Sequence, residues 1–240
     1  MKSNSVRVKA RMVSRRNKLI IIGILILLVL AMVSSIHFSF KGTPWGRANF
    51  AQRTEQYLSK VNYNFSSEYK LSTVHSFKTG EYKSIITLPS GIQFEVLEDY
   101  SNNLFDNYYV AKVEHTVSNE ASEAIRGIFD GNPRVTLYIE GGKSINKKLT
   151  ESSSYTNLNS DIKTHATFYV KLENKFTFMD ESILIEQCSK FIKWIKTNNY
   201  DANVYISFND GYVINISYDE LRVIKDGDVL KRAVKIQTRV

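Results

Sequence analysis

The sequence predicts an α+β chain: one N-terminal transmembrane helix, then antiparallel sheet covered by helices. Three observations predict it. Residues 19–40, LIIIGILILLVLAMVSSIHFSF, carry no Asp, Glu, Lys or Arg. Alternating apolar runs flank Asp210-Gly211 and PSG at 89–91, the pattern of β-hairpins. Between such runs lie longer stretches with apolar residues at helical spacing, residues 180–199 being the clearest.

The elements follow in order. Residues 1–18 hold Lys2, Arg7, Lys9, Arg11, Arg15, Arg16 and Lys18 and no acid, so seven of the net +8 charges sit in this tail. What remains is nearly neutral, which argues against a basic groove for nucleic acid. At about 1.5 Å per residue the 19–40 run reaches roughly 33 Å, enough to cross a bilayer core. A buried soluble helix of this length shows a polar face, and this one has none before Ser34. Lys and Arg gather on the cytoplasmic side of a span, which places the tail inside and residues 41–240 outside. Val33 and Ser35 make a poor cleavage site with no A-x-A-like triplet, so the reading is an uncleaved signal-anchor rather than a removed signal peptide. In SRRNKL, Lys18 stands where a twin-arginine signal wants an apolar residue, so Arg15-Arg16 is an ordinary basic flank.

TPWGRANFAQRTEQYLSKVN (43–62) reads as a second helix, with Thr43 as N-cap, Pro44 at the first position, and Trp45, Ala48, Ala51, Leu58 and Val61 as its apolar stripe. Trp45 suits either the membrane interface or the core. YKLSTVHSF (69–77), KSIITL and IQFEVL read as strands, the last two as a hairpin. Residues 102–128 form one long helix or two short ones, and RVTLYIE (134–140) a further strand. Residues 141–161, rich in Gly, Ser, Asn and Thr, read as a loop or linker between a first unit (41–140) and a second (162–240), although a single larger sheet is also open. In the second unit THATFYVKLE is a strand and 180–199 a helix, with Asp180 and Glu181 at its start and Lys190, Lys193 and Lys196 near its end. NVYISFNDGYVINISY is a hairpin, and Asp226-Gly227 marks another.

The G-T-P-W-G that opens the second helix, the YLSKVNYNF that ends it, and the YKLSTV that follows are similar to the YfjL-like membrane proteins of Gram-positive bacteria, over roughly residues 15–100. The resemblance implies a single-pass membrane protein with an extracytoplasmic α+β region. It brings no activity and no catalytic residue to carry over.

The chemistry-bearing residues assign no catalytic, cofactor-binding or metal site. His37, His75, His115 and His165 share no metal-ligand spacing such as H-E-x-x-H. G-x-S-x-G, G-x-G-x-x-G and Walker motifs are missing from the sequence. Cys188 follows the helical apolar spacing of Leu184, Phe191, Ile192 and Ile195 and reads as a small buried hydrophobe. Glu95, Glu98 and Asp99 cluster at a strand end and read as a solvated acidic edge, although they are the first residues to test for hydrolysis. The 14 Tyr and 13 Phe lie largely on strands, where they pack sheets and also suit a binding surface. Together these readings imply a membrane-tethered module that binds or senses an envelope protein without catalysis or cofactor. The alternatives are a cell-envelope hydrolase with a site assembled from distant residues, and a cleaved secreted factor.

Overall fold

The computed structural model describes residues 3–61, 63, 68–223 and 235–238. Helix α1 (Ser3–Lys41) is followed by α2 (Pro44–Val61). Four strands then form a sheet in the order β1 (Lys70–His75), β2 (Tyr82–Thr87), β3 (Gln93–Glu98), β4 (Leu104–Asp106). Helix α3 (Tyr108–Arg126), strand β5 (Arg134–Ile139), the short helices α4 (Gly142–Asn146) and α5 (Ser160–Thr164), strand β6 (Ala166–Lys171) and helix α6 (Glu181–Thr197) come next. Strands β7 (Asn203–Ser207) and β8 (Tyr212–Ile216), helix α7 (Tyr218–Val223) and strand β9 (Lys235–Thr238) complete the order. The class is α+β. Two compact units emerge, one of Met1–Tyr63, Leu71–Ile85 and Leu97–Asn103, the other of Asn64–Lys70, Ile86–Val96 and Leu104–Val240.

In the first unit, α1 is long and apolar enough to cross a membrane, and its apolar window buries nothing against the rest of the chain. The helix stops at Gly42, whose φ is +69°. Thr43 then caps α2: its Oγ1 accepts the Gly46 N–H at 3.0 Å. Tyr82 locks the joint, its hydroxyl accepting the Thr43 N–H at 2.9 Å while its ring packs on His75 at 4.9 Å between centroids. The side of α2 that is buried runs through Phe50, Thr54 and Leu58, not through Trp45 and Ala48. Apolar spacing alone does not mark Thr54 as an inward position. Thr54 is accommodated because its hydroxyl bonds the Phe50 carbonyl at 2.8 Å and the Ser84 hydroxyl at 2.9 Å.

The strands of the first sheet follow one another through tight turns. Backbone bonds from Ser76 to Glu81, Leu88 to Ile92 and Asp99 to Asn103 close them at 2.8–2.9 Å. The PSG hairpin is the middle one. The short β4 was not foreseen, and it leaves 108–126 as one helix rather than two.

The second unit is built on a five-stranded sheet ordered β5-β6-β7-β8-β9. Its register makes two buried rows, Leu137–Phe168–Val204–Ile216 and Val135–Val170–Ile206–Ile214. Helix α3 brings Val110, Val113, Val117, Ala121 and Ile125 to this core, and α6 brings Leu184, Cys188, Phe191, Ile192 and Ile195. Residues 141–161 contribute Ile145, Leu149, Tyr155 and Leu158 to the same core. All pairs are antiparallel except β6 with β7, which is parallel. A parallel pair needs a long crossover, and α6 supplies it. The hairpin at Asp210-Gly211 is present, closed by the Phe208 N–H to the Tyr212 carbonyl at 3.0 Å. Asp226-Gly227 lies outside the described residues.

β5 is an edge strand, and its outward amides are covered by a helix. The Leu137 N–H bonds Ser118 Oγ at 2.8 Å and the Ile139 N–H bonds Glu114 Oε1 at 2.6 Å. Positions i and i+4 of α3 thus meet positions i and i+2 of the strand, and the edge cannot pair with another chain. Burial pushes the Glu114 carboxyl up from 4.5 to about 7, against the opposing pull of the Ile139 amide. The folded state therefore holds this proton more tightly than the unfolded chain. Its contribution is fully present below the unfolded value of 4.5 and is lost as the pH rises through about 7. Glu114→Gln keeps the acceptor and removes the charge. It should flatten the fall in stability between those limits and raise stability at pH 8 by on the order of 2 kcal/mol, read from denaturant melts at several pH values.

Candidate functional site

The residues singled out from the sequence separate in the structure. Glu95 and Glu98 are three apart on β3, so they point to opposite faces of the sheet. Glu98 pairs with Arg53 of α2, which also donates to the Asn102 carbonyl at 3.1 Å. Asp99 Oδ1 accepts the Ser101 and Asn103 amides, each at 2.9 Å, and so shapes a turn. The Glu95 amide donates to Asn107 Oδ1 at 2.7 Å, which ties β3 to the start of α3. The cluster organises strand ends and does not line one cleft.

Cys188 is buried in the core of the second unit, and burial pushes its thiol up to about 12, far from the reactive thiolate range. His37 lies on α1 with its ring edge-on to Phe38, His75 packs on Tyr82, and His115 Nε2 meets Asn119 Nδ2 at 3.0 Å. His165 is the C-cap of α5. No group of three or more His, Cys, Asp or Glu side chains able to hold a metal occurs among the described residues.

The aromatics sort by strand parity. Phe168, Val204, Ile206 and Phe208 face the core, so Tyr169 and Tyr205 face away from it. On that outer face one row reads Thr136–Tyr169–Tyr205–Asn215, with the two tyrosine rings 5.6 Å apart between centroids. Tyr138 stands beside it on β5. Tyr138 is 51% exposed and Tyr169 is 46% exposed. The next row begins with two cations directly opposite each other, Arg134 and Lys171. Like charges in that position destabilise a sheet. Among the described residues neither has an ion-pair partner. Both line a cavity of 450 Å³ with Asn132, Glu173 and Asn209. Asn174 knits its rim, accepting the Asn209 amide at 3.1 Å and donating to the Asp130 carbonyl at 3.4 Å.

This face carries two exposed tyrosines, Tyr138 and Tyr169, the half-buried Tyr205, and an excess of positive charge at one end. Tyr and Arg are the side chains that carry most energy in protein interfaces. The alternation of TFYVK and NVYIS shows which tyrosines point outward. The Arg134–Lys171 juxtaposition could not be read, because it depends on the register of strands separated by the loop and short helices of residues 140–165. Compared with protein-family models, curated proteins and solved structures, the chain matches none.

Proposed function

We propose that this is a single-pass protein of the cell membrane, N-terminus cytoplasmic, whose extracytoplasmic region is a non-catalytic binding or sensing module. Its partner is an envelope protein that presents an acidic segment to the outer face of the five-stranded sheet. The observation that carries this reading is that face, with Tyr169, Tyr205 and Tyr138 beside the unpaired Arg134 and Lys171. An acidic partner supplies the missing counter-charge, and the tyrosines supply rigid contact area. The apolar α1 with its basic flank supports the anchoring, and the anchor raises the local concentration of the module near its partner.

The test is protease shaving of intact cells together with crosslinking and pull-down of the full-length protein. The expected result is loss of residues 41–240 to external protease, protection of the tail, and one envelope protein that co-purifies. A protected 41–240 region overturns the topology. An accessible region with no specific partner overturns the binding reading and sends Glu95, Glu98 and Asp99 to assays against envelope polymers.

A further inference from the structure

We infer that the turn between β1 and β2, together with the start of α2, is a foot that seats in the lipid interface and prefers anionic lipid. The inference rests on α1 spanning the membrane. Phe40 is the last residue of the uncharged run, and Lys41 follows it at once. From Leu19 to Phe40 a helix climbs roughly 32 Å, about the thickness of the hydrocarbon core, so Phe40 stands at the head-group boundary. Phe77 lies in the turn that follows β1, and its ring stacks on Phe40 with centroids 4.2 Å apart and planes 18° apart. Contact fixes depth: a side chain stacked on Phe40 sits at the same level.

Both rings are 55% exposed, and Trp45, 5.7 Å from Phe38, is 68% exposed. Three large aromatics left open beside a membrane helix are unusual on a water-facing surface, and an aromatic belt at the interface is where such side chains belong. Lys41 and Lys78, each next in sequence to one of the stacked phenylalanines, are also exposed. They add attraction for acidic head groups of about 1 kcal/mol each. The apolar surface of the foot is continuous with that of α1, so lipid covers both.

The full-length protein would be reconstituted in vesicles of phosphatidylcholine with a minority of phosphatidylglycerol. Bromine would be carried either near the head group or mid-chain. One variant carries Phe77→Trp with Trp45→Phe and Trp194→Phe. A second keeps native Trp45 and changes only Trp194→Phe. A third places Leu28→Trp in the tryptophan-free background. Both foot tryptophans should be quenched roughly twofold more by the shallow bromine than by the deep one, and Leu28→Trp should show the reverse order. Quenching of Leu28→Trp without quenching at 77 or 45 overturns the foot and leaves the span intact. Absence of quenching at all three positions overturns the span, and the foot with it.

Discussion

Gly42→Ala should loosen the first unit by about 3 kcal/mol, read as a ~100-fold loss of amide-exchange protection in β1 and β2. Two costs add. The backbone at Gly42 has φ +69°, where an L side chain costs about 1–2 kcal/mol. A Cβ there would also lie 2.7 Å from His75 Cβ and 2.8 Å from Tyr82 Cε1. These atoms belong to ring-bearing side chains packed on each other, and neither swings away freely. Forcing extra volume into such a place costs about 1–3 kcal/mol. Gly80 is the matched control. Its φ is +70°, and nothing lies within 4 Å of a Cβ placed there. Gly80→Ala should lose about 1 kcal/mol, the conformational part alone. Equal losses at the two positions would show that the His75–Tyr82 packing does not hold the joint between α1 and α2.

Lys171→Glu should move stability and binding in opposite directions. In the free protein Arg134 and Lys171 face each other across adjacent strands, and a carboxylate at 171 would replace repulsion with attraction worth about 0.2–1 kcal/mol. The melting temperature should rise by a few degrees, about 1–4 °C for this modest gain. Partner capture should fall about tenfold, because the variant presents a carboxylate to an acidic segment; the loss corresponds to ~1.4 kcal/mol. The double change Arg134→Glu with Lys171→Glu restores the like-charge opposition with reversed sign. It should return stability to the parental level and abolish capture. A gain in stability with capture unchanged would mean that the cationic pair is a tolerated flaw of the sheet and not part of a binding surface.

Much of the fold was legible because its signals are local. Thr43 and Pro44 announce α2, Asp180 caps α6 through the Ser182 amide at 2.7 Å, and Asp210-Gly211 sets a hairpin. The long uncharged run announces α1. What was not legible depends on partners distant in sequence. Asn107 occupies the N-cap position of α3, yet its side chain is given to Glu95. The first amides of that helix are satisfied from Asp106 and from Asn146, which accepts Tyr109 at 2.9 Å and Val110 at 3.2 Å. The polar composition of 141–161 suggests a linker. Its few apolar residues nevertheless fall where the second unit needs them, and Tyr155 is held by a 2.7 Å bond to the Asp201 carbonyl. The acidic trio reads from sequence as a solvated edge, because three carboxylates lie close together at a strand end. Strand parity and the Arg53 pair give them other work. The open sheet face was legible as a surplus of aromatics whose alternation sets Tyr169 and Tyr205 apart from Phe168 and Phe208, whereas pairing Arg134 with Lys171 requires the register.

Site-specific photocrosslinking in living cells would show what the open sheet face touches. A benzophenone amino acid would replace Tyr169 on the open sheet face or, as a control, Ile183, which is exposed on α6. The account predicts one discrete adduct with an envelope protein from position 169, weakened by Lys171→Glu, and none from position 183. An adduct from 183 with none from 169 would contradict it, and so would an adduct at 169 indifferent to the charge at 171.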